Sequence, residues 1–279
     1  MIDKLPIAIA QSLITKDVEE NGNHIRELMA QAHKSGARLI HFPEGALSGY
    51  VKTQITDWNT VNWDIVRNEL LMIMEVAKSL GIWTVLGCSH KLTEPNRPHN
   101  SLFIISDRGE MITRYDKRYC SQTEMNDWYS PGQKAQTFDV DGFRFGCALC
   151  IEIQFAEVFS EYERLDTDCV LFSAYSEDPI FWIQAQGYAA TNNMWFSVPV
   201  PAQCGAELQG GLIGPNGYGL SRCHVNTQPH VQMVELDRKN PELQTALTKA
   251  RPWRRKARLR TIYEPGITGD IRSGDSTNF

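Results

Sequence analysis

Apolar and polar residues fall into blocks along this chain, and the blocks recur in a fixed order. Leu5-Pro-Ile-Ala-Ile-Ala10 is a short apolar run bounded by polar residues, the pattern of a buried strand. Asp17 then stands where it can cap a helix whose apolar positions Ile25, Leu28, Met29 and Ala32 repeat at helical spacing and stop at Gly36. Arg38-Leu-Ile-His-Phe42 reads as a second strand and runs into Pro43-Glu44. The order repeats with Leu70, Ile73, Met74, Ala77 and Leu80 as a helix, Gly81 as its stop and Ile82 to Leu86 as a strand. Helix, glycine and strand in succession predict a layered α/β fold. Ser48 to Asn62, between the two units, reads as a loop on the functional edge.

The second half opens with hairpins. Leu102–Ser106 and Met111–Tyr115 flank a turn with Arg108-Gly109, and Thr137–Val140 and Phe143–Leu149 flank Asp141-Gly142. The latter strand ends at Cys150, and Glu152 to Arg164 reads as a helix. Cys169–Phe172, a helix near Asp178 to Asn193, and Met194–Val198 repeat the strand–helix–strand order. A Gly-rich stretch, Gly205 to Gly219, leads to a strand at Val231–Leu236 and a last helix from about Pro241. No linker-like tract separates two cores, so one domain is expected.

Composition changes this picture little. The net charge of −5 argues against a general binder of nucleic acid or anionic membrane. No apolar run approaches the roughly 18 residues that a membrane span needs, and the first dozen residues do not form a signal peptide. The seven cysteines are odd in number and irregularly spaced, which suits a reducing cytoplasm better than a disulfide framework. Cys147 and Cys150 form a C-x-x-C that would suit redox chemistry or a metal, but no second ligand pair follows it. Arg251 to Arg260 is a basic run, read as a solvated or subunit-packing surface.

Three reactive residues stand at the ends of predicted strands: Glu44, Lys117 and Cys150. Each has an ordinary structural reading, as a turn carboxylate, a surface lysine and a core thiol. Together they supply a base, a cation and a nucleophile. A thiol is mostly protonated near neutrality and needs a base or a nearby cation to react.

Phe42-Pro43-Glu44 with Gly49-Tyr50, then Tyr115-x-Lys117, then Cys150-Ile-Glu152-x-x-Phe155-x-Glu157, resemble in order the catalytic blocks of the nitrilase (carbon–nitrogen hydrolase) superfamily. Asn193 and the segment from Gly211 to Gly217 fit later blocks, so the resemblance covers Ile7 to about Leu236. It implies an α-β-β-α sandwich over residues 1–260, with 261–279 as a C-terminal tail. It implies a metal-free and cofactor-free amidase acting on a small-molecule amide, assembled as a homodimer or larger homo-oligomer. The implied roles are Cys150 as nucleophile, Glu44 as base, Lys117 as oxyanion cation and Glu124 as the residue that orients Lys117 and substrate. The Ile151 backbone N–H is the implied oxyanion donor, and Tyr50 and Gln154 the implied substrate contacts. Glu152 and Glu157 are expected to anchor the turn and helix.

The chain departs from the family pattern at several positions. Gln154 and Ala189 replace arginines, Ala156 replaces a proline, and Glu124 stands one residue further than usual from Pro131-Gly132. Ile151 replaces the tryptophan that follows the cysteine in true nitrilases, which favours an amidase over a nitrilase. N-carbamoyl amidohydrolases carry arginines three and four residues past the nucleophile; here Ile153 and Gln154 stand there. A degenerate binding or regulatory protein on the same fold is the remaining alternative.

Overall fold

The computed structural model describes residues 2–225, 227–275 and 277. Alternation along the strands builds three apolar layers. Leu5, Ile7, Ile9, Leu39, Val85, Leu102 and Ile104 point one way and meet Phe143, Phe145, Cys147, Cys169, Leu171 and Trp195 in a central core. These residues come from two six-stranded sheets packed face to face.

The first sheet has the order β12-β1-β2-β3-β4-β5. Its strands are β1 (Lys4–Gln11), β2 (Leu39–His41), β3 (Trp83–His90), β4 (His99–Ile105), β5 (Met111–Asp116) and β12 (His230–Asp237). The second has the order β11-β10-β9-β8-β7-β6. It is built from β6 (Thr137–Val140), β7 (Phe143–Leu149), β8 (Cys169–Ser173), β9 (Trp195–Val198), β10 (Gly211–Ile213) and β11 (Gly219–Arg222). Each sheet has three parallel strands at its centre, β1–β2–β3 and β7–β8–β9, with antiparallel strands outside.

The outer faces carry the helices. Helices α1 (Val18–Lys34) and α2 (Trp63–Leu80) bury Ile25, Leu28, Met29, Ile73 and Ala77 against Ala8, Ala10, Ile40 and Leu86 of the first sheet. Helices α3 (Ala156–Arg164) and α4 (Ile180–Asn192) bury Val158, Phe159, Phe181 and Ala185 against the second. The result is the expected α-β-β-α sandwich.

Local signals explain the boundaries. Asp17 accepts from the N–H groups of Glu19 and Glu20, and Asn62 caps α2 in the same way. Asp141 and Gly142 both have positive φ, the geometry that a two-residue hairpin between twisted strands needs.

Four elements differ from the reading of the sequence. Helix α2 begins at Trp63, a full two turns before Leu70. The helix expected over Glu152 to Arg164 is split: a tight helical turn spans Cys150–Gln154, Phe155 is extended, and α3 starts at Ala156. The Glu152 carboxylate causes the break by accepting the N–H groups of Leu149, Arg118 and Tyr119, which fixes the turn to another loop. The Gly-rich stretch holds β10 and runs into β11, an antiparallel pair whose strands are too short to show a period. The basic run, finally, ends the expected helical stretch from Pro241 as helix α5 (Arg251–Arg258) but is tied to acidic groups of its own chain.

The α5 arginines are matched within the chain. Arg251 pairs with Asp166 and Asp168, Arg255 with Asp166 and Glu163, and Arg258 with Glu163. Arg254 and Arg258 also donate to carbonyls at the last turn of α4, where the helix dipole favours cations. The basic run therefore neutralises acidic helix ends, although Trp253 within it is exposed. Among the described residues, no helix is long and apolar enough to cross a membrane.

Candidate active site

The C-terminal ends of β2, β5, β7 and β8 lie on one edge of the sandwich, because these strands run in the same direction within their sheets. Glu44 follows β2, Lys117 follows β5, Cys150 follows β7 and Tyr175 follows β8. The Pro43–Glu44 turn passes directly over β3 at Gly87. A Cβ there would sit 2.1 Å from the Pro43 carbonyl oxygen, so only glycine admits this path.

Lys117 Nζ stands between two carboxylates, 3.0 Å from Glu44 Oε1 and 2.7 Å from Glu124 Oε1. Asn100 Nδ2 donates to Glu44 Oε1 at 2.7 Å and the Tyr175 N–H to Glu44 Oε2 at 3.0 Å. Glu124 Oε2 accepts from the Ser121 N–H at 2.8 Å. Glu44, Lys117 and Glu124 are all buried.

Cys150 has φ +47°, a left-handed conformation that a non-glycine residue adopts at a cost of about 1–3 kcal/mol. The strain turns its side chain out of the sheet at the point where strand becomes helical turn. Its Sγ lies 3.8 Å from the Tyr175 carbonyl, so one residue's main chain touches both Cys150 and Glu44. The clamp behind this turn is Glu152, whose two oxygens also accept from the Tyr115 hydroxyl at 2.8 and 2.7 Å. Glu152 thus ties the Cys150 turn to the loop that carries Lys117.

The electrostatics separate the two glutamates. Burial raises the pKa of Glu44, and Lys117 only partly offsets it. Burial acts the same way on Glu124, but the closer Lys117 ammonium and the Ser121 N–H outweigh it and hold the carboxyl below its ordinary value. Burial would lower the pKa of Lys117; the two carboxylates more than reverse this and keep it well above the usual value. The Cys150 thiol is pushed well up, by burial first and by Glu44 next. In the resting site the sulfur therefore holds its proton, Lys117 is charged, and Glu44 is the carboxylate readier to take up a proton.

The family model of the carbon-nitrogen hydrolases matches residues 6–240. The chain belongs to that family. It is 23% identical over 207 residues to nitrilase homolog 2 of Dictyostelium discoideum, a stretch covering 69% of this chain and 62% of that protein. It is 22% identical over 209 residues to omega-amidase NIT2 of Bos taurus, covering 71% of this chain and 74% of that one. The fold is similar to an amidase from Nesterenkonia sp., with a TM-score of 0.75, 19% identity, and coverage of 92% and 98%. A variant of the Nesterenkonia sp. AN1 amidase shows covalent addition of the acetamide moiety of fluoroacetamide at its active site cysteine (TM-score 0.75, 20% identity, coverage 91% and 96%). The fold of this carbon–nitrogen hydrolase is thus similar to that of amidases.

The remaining candidate residues of this hydrolase divide. Tyr50 stacks on Tyr175 with ring centroids 4.5 Å apart, and its pKa is raised by burial first and then by the negative charge of Glu44 and Cys150. The Tyr175 hydroxyl is held in turn by Gln54 and Gln203. Ile151 is the residue after Cys150 in the helical turn, whose first N–H groups have no partner inside the turn. Gln154 is not brought to the cluster: it is exposed and exchanges two hydrogen bonds with Gln184 of α4. Glu157 lies in the first turn of α3, and Asn193 caps α4 while its Nδ2 donates to the Pro215 carbonyl. Cys147 is fully buried between the sheets, and all seven cysteines are free. Among the described residues, no three metal-ligating side chains are grouped to hold an ion.

Two contributors escaped the reading of the sequence. Asn100 carried a signal, a polar residue just before the apolar run of β4. Tyr175 carried none, because it acts through its main chain.

Proposed function

We propose that this protein is a thiol-dependent amidase of small neutral amides that works through a thioester on Cys150. The observation that carries the reading is Tyr175. Its N–H holds Glu44 and its carbonyl meets Cys150 Sγ, so base and nucleophile share one rigid support beside the Lys117 ammonium.

The chemistry follows from these positions. Glu44 takes the thiol proton as Sγ attacks the amide carbon, and the carbonyl oxygen becomes an oxyanion. Lys117 and the Ile151 N–H stabilise that charge. Glu44 returns the proton to nitrogen as the C–N bond breaks, releasing ammonia or an amine and leaving a thioester. Water then gives a proton to Glu44 and its oxygen to the acyl carbon. The second tetrahedral intermediate breaks the C–S bond, and Glu44 reprotonates the sulfur. Glu124, held ionised by Lys117, keeps the ammonium charged and aimed throughout.

A neutral substrate suits the turn after Cys150. Ile153 is buried in the core and Gln154 is engaged with Gln184, so neither presents a cation. A bound carboxylate without a cationic partner would keep a desolvation penalty of several kcal/mol. Arg222 lies over the Trp182 ring, 3.5 Å from its centroid, and donates to the Gln209 carbonyl.

The test compares kcat/KM for a neutral amide, a nitrile and a matched N-carbamoyl amino acid, with Cys150→Ala as the blank. The neutral amide is expected to lead. A tenfold preference for the carboxylate-bearing compound, about 1.4 kcal/mol, would defeat the substrate reading, and turnover by the blank would defeat the mechanism. The same reading carries a homo-oligomer, supported by exposed Ile180 and Ile183 on α4; light scattering tests it, and a monomer at working concentration would count against it.

A further inference from the structure

His41 is the last residue of β2 and is fully buried between the two sheets. A histidine in an apolar core needs both ring nitrogens satisfied, and both are. Nδ1 lies 2.9 Å from Ser197 Oγ on β9, and Nε2 lies 2.8 Å from Ser173 Oγ on β8. Ser173 Oγ is also 2.8 Å from the carbonyl oxygen of Phe42.

These contacts fix the direction of every hydrogen bond. A carbonyl only accepts, so the single hydroxyl hydrogen of Ser173 goes to Phe42. Ser173 must then accept from His41, which places the ring proton on Nε2. Nδ1 is left as an acceptor, and the Ser197 hydroxyl donates to it. The imidazole is neutral in this arrangement, and burial agrees by lowering its pKa to about 3. A directed chain therefore runs from Ser197 through His41 and Ser173 to the Phe42 carbonyl.

That carbonyl belongs to the Phe42–Pro43 peptide, and Glu44 is the next residue. Pro43 has no N–H with which to anchor the segment. Ser173 also reaches the same site along its own strand: it closes β8, two residues before Tyr175, which holds Glu44 and touches Cys150. We propose that His41 is a positioning residue for Glu44, acting through Ser173 and the Phe42 carbonyl to hold the base in register between the two sheets. This rests on Glu44 being the base of the amidase reaction.

Two measurements on the full-length protein test it. Two-bond ¹H–¹⁵N spectra of histidine-labelled protein, with the His41 signals assigned by their loss in His41→Gln, should show a protonated Nε2 and an unprotonated Nδ1 from pH 5 to 8. This readout requires no turnover. In kinetics, Ser173→Ala should lower kcat about tenfold or more, the scale on which displaced catalytic groups act, with KM within twofold. Ser197→Ala, two links further away, should lose less. His41→Gln, whose amide can still donate to Ser173, should keep more kcat than His41→Leu. A proton on Nδ1, or titration of the ring in that range, overturns the relay. A folded Ser173→Ala with wild-type kcat, or a loss confined to KM or to thermal stability, overturns the positioning role. An inactive wild type overturns that role together with the amidase reading, while the spectra still decide the relay.

Discussion

Replacing Lys117 by Met removes the cation and keeps most of the volume, so the consequence is electrostatic. The side chain is 1% exposed and lies between Glu44 and Glu124, which are as deeply buried. The cluster holds two carboxylates and one ammonium; without the ammonium its formal charge goes from −1 to −2. Breaking a buried pair by removing one partner costs about 3–5 kcal/mol, a large part of the roughly 5–15 kcal/mol that holds a domain folded. The variant should fold with a Tm lower by about 10 °C, at roughly 2–4 °C per kcal/mol for chains of this size.

The deficit should depend on pH in one direction. With the cation gone, both buried carboxyls have folded pKa values above the unfolded ones. Their contribution to stability is then fully present below the unfolded pKa and is lost as pH rises through the folded pKa. Thermal unfolding of wild type and Lys117→Met at pH 5 and pH 8 should therefore show the smaller gap at pH 5. A gap under about 1 kcal/mol at pH 8, or one equal at both pH values, would refute a charged Lys117 between two ionised glutamates. Activity should fall as well, by the roughly 10²–10³ in kcat that one lost oxyanion donor costs.

Three further outcomes are expected. Cys150→Ala should abolish turnover and iodoacetamide labelling at that position, read by mass spectrometry, whereas Cys147→Ala should retain turnover because its thiol is packed between the sheets. Glu44→Gln should lower kcat by about 10²–10⁴; its amide sets one N–H against a donor, Lys117, Asn100 or Tyr175, so a stability loss of about 1–3 kcal/mol should accompany it in chemical denaturation. Glu152→Leu should yield little soluble protein, since the Tyr115 hydroxyl and the N–H groups of Leu149, Arg118 and Tyr119 lose their common acceptor; soluble expression at the wild-type level would remove Glu152 from its clamping role.

Residue patterns alone determined the order of layers. Short apolar runs around Ile7, Leu39 and Phe145, and helical spacing at Ile25–Ala32 and Leu70–Leu80, depend only on which residues avoid water. Those strands and helices contain the residues that the pattern assigned to them, with α2 starting earlier, at Trp63. Glu44, Lys117 and Cys150 were legible because each follows a predicted strand and stands in a block that resembles those of the carbon–nitrogen hydrolases.

Tertiary structure decided what depends on contacts between distant segments. The break at Phe155 follows from Glu152 capturing N–H groups more than thirty residues away in sequence, which no local propensity registers. Gln154 follows Cys150 closely but turns outward to Gln184, because the tight turn ends before α3 begins. The arginines of Arg251 to Arg258 look like a free basic surface until α5 lies against the ends of α3 and α4. His41 reads as one polar residue in an apolar strand. Only the second sheet, with Ser173 and Ser197 facing it, gives both ring nitrogens a partner, because a buried ring takes its proton position from whatever lies opposite.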